Sequence, residues 1–262
     1  MSKEERQSGW QVVLSMELRR IWLGWQGPLL LLAFSVFLSV YIVLLAVDPE
    51  INVLSQHKMI DQSIQVTMLV GIVAVLLLGS DSISGERDQR TMESLLLTPV
   101  ARGQLVVGKL LAVLSLWVGM VPIALPYIAL VANGTDVVTA SLLLLVIPGT
   151  MLVALSAGIA VLVSALSPTN RVSFAAAFFV ILLLAAPALL SGSVKELPWV
   201  HWFIVSNPVT AVAKYQSSVI HGGAWTEGSG LLLSPSIALA LITAAGPYFL
   251  DKRLSLQGGL RP

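Results

Sequence analysis

Three groups of residues carry side chains that could do chemistry. The first is Gly103-Gln104-Leu105-Val106-Val107-Gly108-Lys109-Leu110, which follows the phosphate-loop pattern up to its last position. In that loop backbone N–H groups cradle phosphates, the lysine reaches the terminal phosphates and a Ser/Thr hydroxyl holds magnesium. Leu110 stands where the hydroxyl is needed, and an apolar run follows where a soluble helix should. ATP binding is not expected there. The second group is His57, His201 and His221. Imidazoles bind copper or zinc, but these three are widely scattered and read as interfacial polar groups, so no metal site is expected. The chain has no His-Glu-x-x-His pattern and no cysteine, so it has no disulfide, thiolate ligand or cysteine nucleophile.

The third group is Gly85-Glu86-Arg87-Asp88-Gln89-Arg90-Thr91-Met92-Glu93-Ser94-Leu95-Leu96-Leu97-Thr98-Pro99. It starts charged and turns apolar. Met92, Leu95 and Leu96 share one helical face, and Pro99 ends the helix near Leu97, because a residue before proline avoids the helical region. A short helix with an apolar ridge and charged flanks suits docking into a groove on another protein. A membrane-surface helix with no partner is the plainer alternative.

The elements that position these residues follow from composition. Of 262 residues, 56% are apolar and 11% charged, against roughly 25% charged in a soluble domain. That excludes a soluble enzyme and a disordered chain. Net charge is +1, so no nucleic-acid partner is expected. A span needs about 20 mainly apolar residues. Six segments meet this: Pro28–Val47, about Ser63–Ser80, about Leu105–Ala132, Val137–Ser167, Val172–Ser193 and Leu231–Leu250. The runs are long and do not alternate, so they are helices. The expected fold is an all-α polytopic membrane protein with six transmembrane helices, forming one domain over 1–262.

Basic residues set the orientation. Lys3, Arg6, Arg19, Arg20, Arg87, Arg90, Arg102, Lys109, Arg171, Lys252, Arg253 and Arg261 fall on one side, and only Lys58, Lys195 and Lys214 on the other. Both termini are therefore expected in the cytoplasm. The first apolar run is too long for a cleaved signal peptide. No stretch outside the spans reaches the size of a further domain, so a nucleotide-binding domain is expected on a separate chain.

Three segments lie outside the spans. Within the N-terminal 1–27, residues 10–25 place Trp10, Val13, Leu14, Leu18, Ile21, Trp22 and Trp25 at spacings of three and four, with Gln11, Ser15, Arg19 and Arg20 mostly elsewhere. This predicts an amphipathic interfacial helix. It is either a generic anchor or an elbow that also meets a cytoplasmic partner. The turn Ser164–Arg171 reads as a simple connector. Over 191–230 the chain predicts two short outer-leaflet re-entrant helices before the sixth span. Trp199 and Trp202 lie at headgroup level, and Asn207-Pro208 opens a helix that Gly222-Gly223 ends. These could close the outer end of a pathway.

Between the interfaces the apolar runs contain no carboxylate, arginine or histidine. Ion-coupled transporters place such groups inside, so secondary transport is disfavoured and energy is expected from another subunit. Pro122, Pro126, Pro148-Gly149, Pro187 and Pro247 allow kinks.

The run from Gly85-Glu86-Arg87-Asp88 through Arg90-Thr91-Met92-Glu93-Ser94-Leu95-Leu96-Leu97-Thr98-Pro99-Val100, then Arg102, Leu105 and Gly108-Lys109, resembles the signature of type-2 ABC-transporter permeases. The subgroup it is similar to includes the permease for nitrous-oxide-reductase maturation. The resemblance implies a bacterial plasma-membrane permease subunit that is not itself an enzyme and binds no cofactor. ATP and magnesium would sit on a partner ABC ATPase in two copies, and a second permease, identical or homologous, would complete an export complex. The 81–104 segment would be the coupling loop. Glu86, Arg87, Asp88, Arg90, Thr91 and Glu93 would make polar contacts to the ATPase, and Met92, Leu95 and Leu96 apolar ones. Trp199, Trp202, Asn207 and Pro208 would form the outer gate. The alternative is a non-transporting membrane anchor that uses a partner ATPase to regulate a periplasmic or cell-surface process. Outer loops this short, without a periplasmic domain, disfavour it. A membrane-embedded enzyme is disfavoured by the lack of buried ionisable residues.

Overall fold

The computed structural model describes residues 9–47, 53–89, 102–189 and 206–242. Among the described residues there are helices and no strand. In chain order they are α1 (Gly9–Leu23), α2 (Gln26–Val47), α3 (Val53–Asp88), α4 (Arg102–Ala132), α5 (Val138–Leu166), α6 (Asn170–Leu189) and α7 (Pro208–Ile220). The last is α8 (Ser229–Ile242), which opens with a 3-10 turn at Ser229–Leu232. Five helices, α2 to α6, are long and apolar enough to cross a membrane. The expected sixth span, Leu231–Leu250, is described only as far as Ile242, within α8.

Helix α3 has 36 residues, which at about 1.5 Å each makes it about 54 Å long. It outreaches the roughly 30 Å hydrocarbon layer and extends past the expected Ser63–Ser80 at both ends. Asp61 therefore lies on a continuous helix, with Gln65, Ser217 and His221 around its carboxylate. It stands just before the expected span Ser63–Ser80, on the same helix. The elbow also ends earlier than the aromatic pattern suggests. Trp25 sits between α1 and α2 with φ at +65°, is 79% exposed and does not continue the stripe.

The centre of the bundle is α3 against α5, with α4 packed on both and α1 laid along α4. Helices α2 and α6 are peripheral. Their Leu29, Leu32, Val36, Val40, Phe178, Phe179 and Leu183 remain exposed, as lipid-facing positions should. Close approach relies on small residues, as is usual between membrane helices. At Gly71 of α3 an added Cβ would fall 2.4 Å from the ring of Trp117. Trp117 is buried there and donates Nε1–H to Thr150 Oγ1 at 2.9 Å.

The predicted outer helix after Asn207-Pro208 is α7. Asn207 Oδ1 accepts from the N–H groups of Val209 (2.9 Å) and Thr210 (3.3 Å), and proline opens the helix, as caps require. Gly222 follows its end at φ +93°. At this end of the bundle Gln56 donates to the carbonyls of Val131 and Asn133. His57 lies 4.0 Å from Asp136, and its ring is 6.2 Å from that of His221. Among the described residues no group of three His, Asp or Glu side chains is placed to hold a metal ion. The opposite end gathers α1, the end of α3, the start of α4 and the α5–α6 turn.

Candidate functional site: an ionic cluster at the root of the α3–α4 loop

The site is built on Lys109, in the third turn of α4, and starts from the glycine before it. A Cβ on Gly108 would lie 2.8 Å from Val13 Cγ1 and 2.9 Å from the Trp10 carbonyl oxygen. Only glycine lets α1 press this closely on α4. The buried face of α1 is Val13, Glu17 and Ile21, spaced by four residues and so stacked on one side. The approach brings Glu17 over Lys109.

Lys109 is 1% exposed. Its ammonium donates to Glu17 Oε1 at 2.5 Å, to Glu86 Oε1 at 2.5 Å and to the Ser82 carbonyl at 2.7 Å. A lysine has three protons to donate, and all three are used. Three helices, α1, α3 and α4, meet on one nitrogen. One ammonium faces two carboxylates, and Arg20 supplies further positive charge. Its Nη1 is 3.9 Å from Glu17 Oε2, and its Nη2 donates to Asp81 Oδ2 at 3.1 Å. Asp81 Oδ1 accepts from Asn170 Nδ2 at 2.7 Å, which extends the chain of contacts to α6.

The end of α3 is stitched to the α5–α6 turn as well. Asp88 accepts the backbone N–H of Asn170 at 2.8 Å, a carboxylate placed at the start of α6, where the helix dipole favours it. Arg87 donates to the Ala165 and Ser167 carbonyls, acceptors at the C-terminal end of α5 that lack helical donors. Ser164 Oγ accepts from the N–H groups of Ile83 (3.1 Å) and Ser84 (2.9 Å) and donates to the Ser80 carbonyl (2.7 Å). A foreign side chain is thereby inserted into the α3 hydrogen-bond ladder, one of the recognised causes of a local bend. The turn that looked like a connector thus holds the last two turns of α3.

The structure brings Glu86, Arg87 and Asp88 together, as part of α3 and not as a separate loop helix. Arg90, Thr91, Met92, Glu93, Leu95 and Leu96 lie outside the described residues, as do Trp199 and Trp202. Asn207 and Pro208 open α7, and Asn207 Nδ2 also reaches the Leu184 carbonyl of α6 at 2.8 Å. Sequence reasoning missed Glu17, Asp81, Ser164 and Asn170. Glu17 did leave a signal: it sits four residues from both Val13 and Ile21, a carboxylate inside an apolar stripe.

A family model described as ABC-2 family transporter protein matches residues 27–246. The chain belongs to this family. No curated protein matches it. As an ABC-2 family permease it is a multi-pass membrane component that is generally not catalytic itself, and its family works in association with an ABC ATPase. The glycine–lysine pair of this permease is now explained without nucleotide. Residues 103–110 lie within α4, which has no room for a phosphate-cradling loop, and Lys109 is saturated by its own carboxylates.

Proposed function

We propose that this chain is the permease subunit of an ATP-driven export complex, with two permeases, identical or homologous, above two ATPases in a bacterial plasma membrane. The export direction follows the habit of the type-2 ABC permeases whose signature the 85–109 run resembles. In this reading the segment between Asp88 and Arg102 is the coupling element. Arg90, Thr91 and Glu93 make polar contacts to a cleft in the ATPase, and Met92, Leu95 and Leu96 fill it. Glu86, Arg87 and Asp88 form the root that carries its movement inward. Trp199, Trp202, Asn207 and Pro208 close the outer end.

One observation carries this reading: the two helices that flank that segment are joined to each other and to α1 on the Lys109 ammonium. A displacement of the loop would therefore reach α1 and α4 through ion pairs, and α6 through Asp81 and Asn170. The test is ATP hydrolysis by the permease–ATPase complex in lipid nanodiscs. Glu93→Lys should lower permease-dependent hydrolysis without altering the permease's thermal stability. Glu86→Lys should lower both. Unchanged hydrolysis in both variants would reject the coupling role.

A further inference from the structure

Helix α5 is broken in its hydrogen bonding at Pro148, and the break is repaired from another helix. Proline has no N–H, so the carbonyl of Leu144, four residues earlier, loses its helical donor. Leu144 is fully buried, and an unpaired carbonyl inside a membrane must find a partner in neighbouring helices. Gln216 of α7 donates Nε2 to it at 3.3 Å, and the same nitrogen lies 3.4 Å from Met68 Sδ of α3. Gln216 is itself fully buried. Its Oε1 has no hydrogen-bond partner among the described residues. A buried amide with an idle acceptor is explained by its donor. Among the described residues the carbonyls freed by Pro122 and Pro126 receive no side-chain donor from another helix, and beside Pro187 the Asn207 amide reaches the adjacent Leu184 carbonyl at 2.8 Å.

The surroundings tie the kink to the rest of the bundle. Gly149, the next residue, faces Met68 of α3 and Trp117 of α4, and Thr150 accepts the Trp117 indole N–H. At its other end α7 is fixed to α6 through Asn207.

We propose that Gln216 is a positioning residue that latches the outer helix α7 to the proline-broken turn of α5. The position of α7 and the bend of α5 are then one variable, and displacement of α7 from outside is registered at the centre of the bundle. This inference needs no ATPase and stands apart from the proposed export function.

The chain has no cysteine, so introduced cysteine pairs carry spin labels without background. Thr139 and Leu166 are exposed residues on α5 on either side of Pro148. Labels at Thr139→Cys and Leu166→Cys in full-length protein in nanodiscs read the bend as a distance distribution. Gln216→Met, which keeps the length and removes the donor, should shift or broaden that distribution. Pro148→Ala returns an N–H to Leu144, so in that background Gln216→Met should change nothing. If Gln216→Met alone yields no monodisperse protein, recovery by Pro148→Ala supports the latch, and failure of both variants overturns it. An unchanged distribution in the proline background, or an equal shift in both backgrounds, also overturns it.

Discussion

Lys109→Ala should be among the most damaging single substitutions in the described part of the chain. It leaves Glu17 and Glu86, each less than one-tenth exposed, facing one another without the ammonium between them. Removing one partner from a buried ion pair costs about 3–5 kcal/mol, because a charge is left uncompensated. Two stranded carboxylates place this site at the upper end. Lys109→Arg should not rescue well, since a planar guanidinium cannot present three donors in the tetrahedral arrangement that serves Glu17, Glu86 and the Ser82 carbonyl. Replacing Lys109, Glu17 and Glu86 together by Met should restore most of the lost stability, as apolar replacements of buried ionic triads do. Thermal unfolding in detergent, followed by size-exclusion, checks the series. A Lys109→Ala protein as stable as the parent would show that the ammonium is not buried as described.

The second large effect is expected at the contact of α3 with α4. Gly71→Val places methyl groups where the Trp117 ring already lies 2.4 Å from the first added carbon. The ring is held by its bond to Thr150 and cannot swing away freely. Overpacking costs roughly 1–3 kcal/mol where a core can adjust, and more where it cannot. Trp117→Ala should cost about 3–5 kcal/mol by the opposite route, a cavity. The two changes compensate in volume, so the double variant should be more stable than the sum of the singles predicts. Strict additivity in the same unfolding assay would mean that the residues do not share the space assigned to them.

What was legible in the sequence is the part set by the solvent. Lipid demands long apolar helices, and α2, α4, α5 and α6 appear where apolar runs of about 20 residues or more stand. The helix after Asn207-Pro208 was legible because its cap and its glycine stop act locally. Missed features depend on partners far along the chain. Ser80 to Asp88 reads as a polar loop because nothing nearby in sequence satisfies it. In the fold Ser164, Ala165, Ser167 and Asn170 do so, some 80 to 90 residues later. Glu17 stands inside an apolar stripe, but its partner Lys109 is 92 residues away, and Gly108 is what lets α1 down onto it. The spacing of residues 103–110 imitates a phosphate loop, and only the continuous helix α4 reveals the lysine as a tie between helices.

The proposed role of the segment between Asp88 and Arg102 is to seat this permease on an ABC ATPase. The most direct measurement is affinity purification of the tagged chain in mild detergent, with the co-purifying proteins identified and quantified. The same is done for a variant carrying Met92→Ser, Leu95→Ser and Leu96→Ser. The account predicts an ABC ATPase in equal amount with the parent chain and its loss from the variant, while the variant stays monodisperse and keeps the parent's melting temperature. Co-purification of the ATPase with both proteins alike, or with neither, would contradict it.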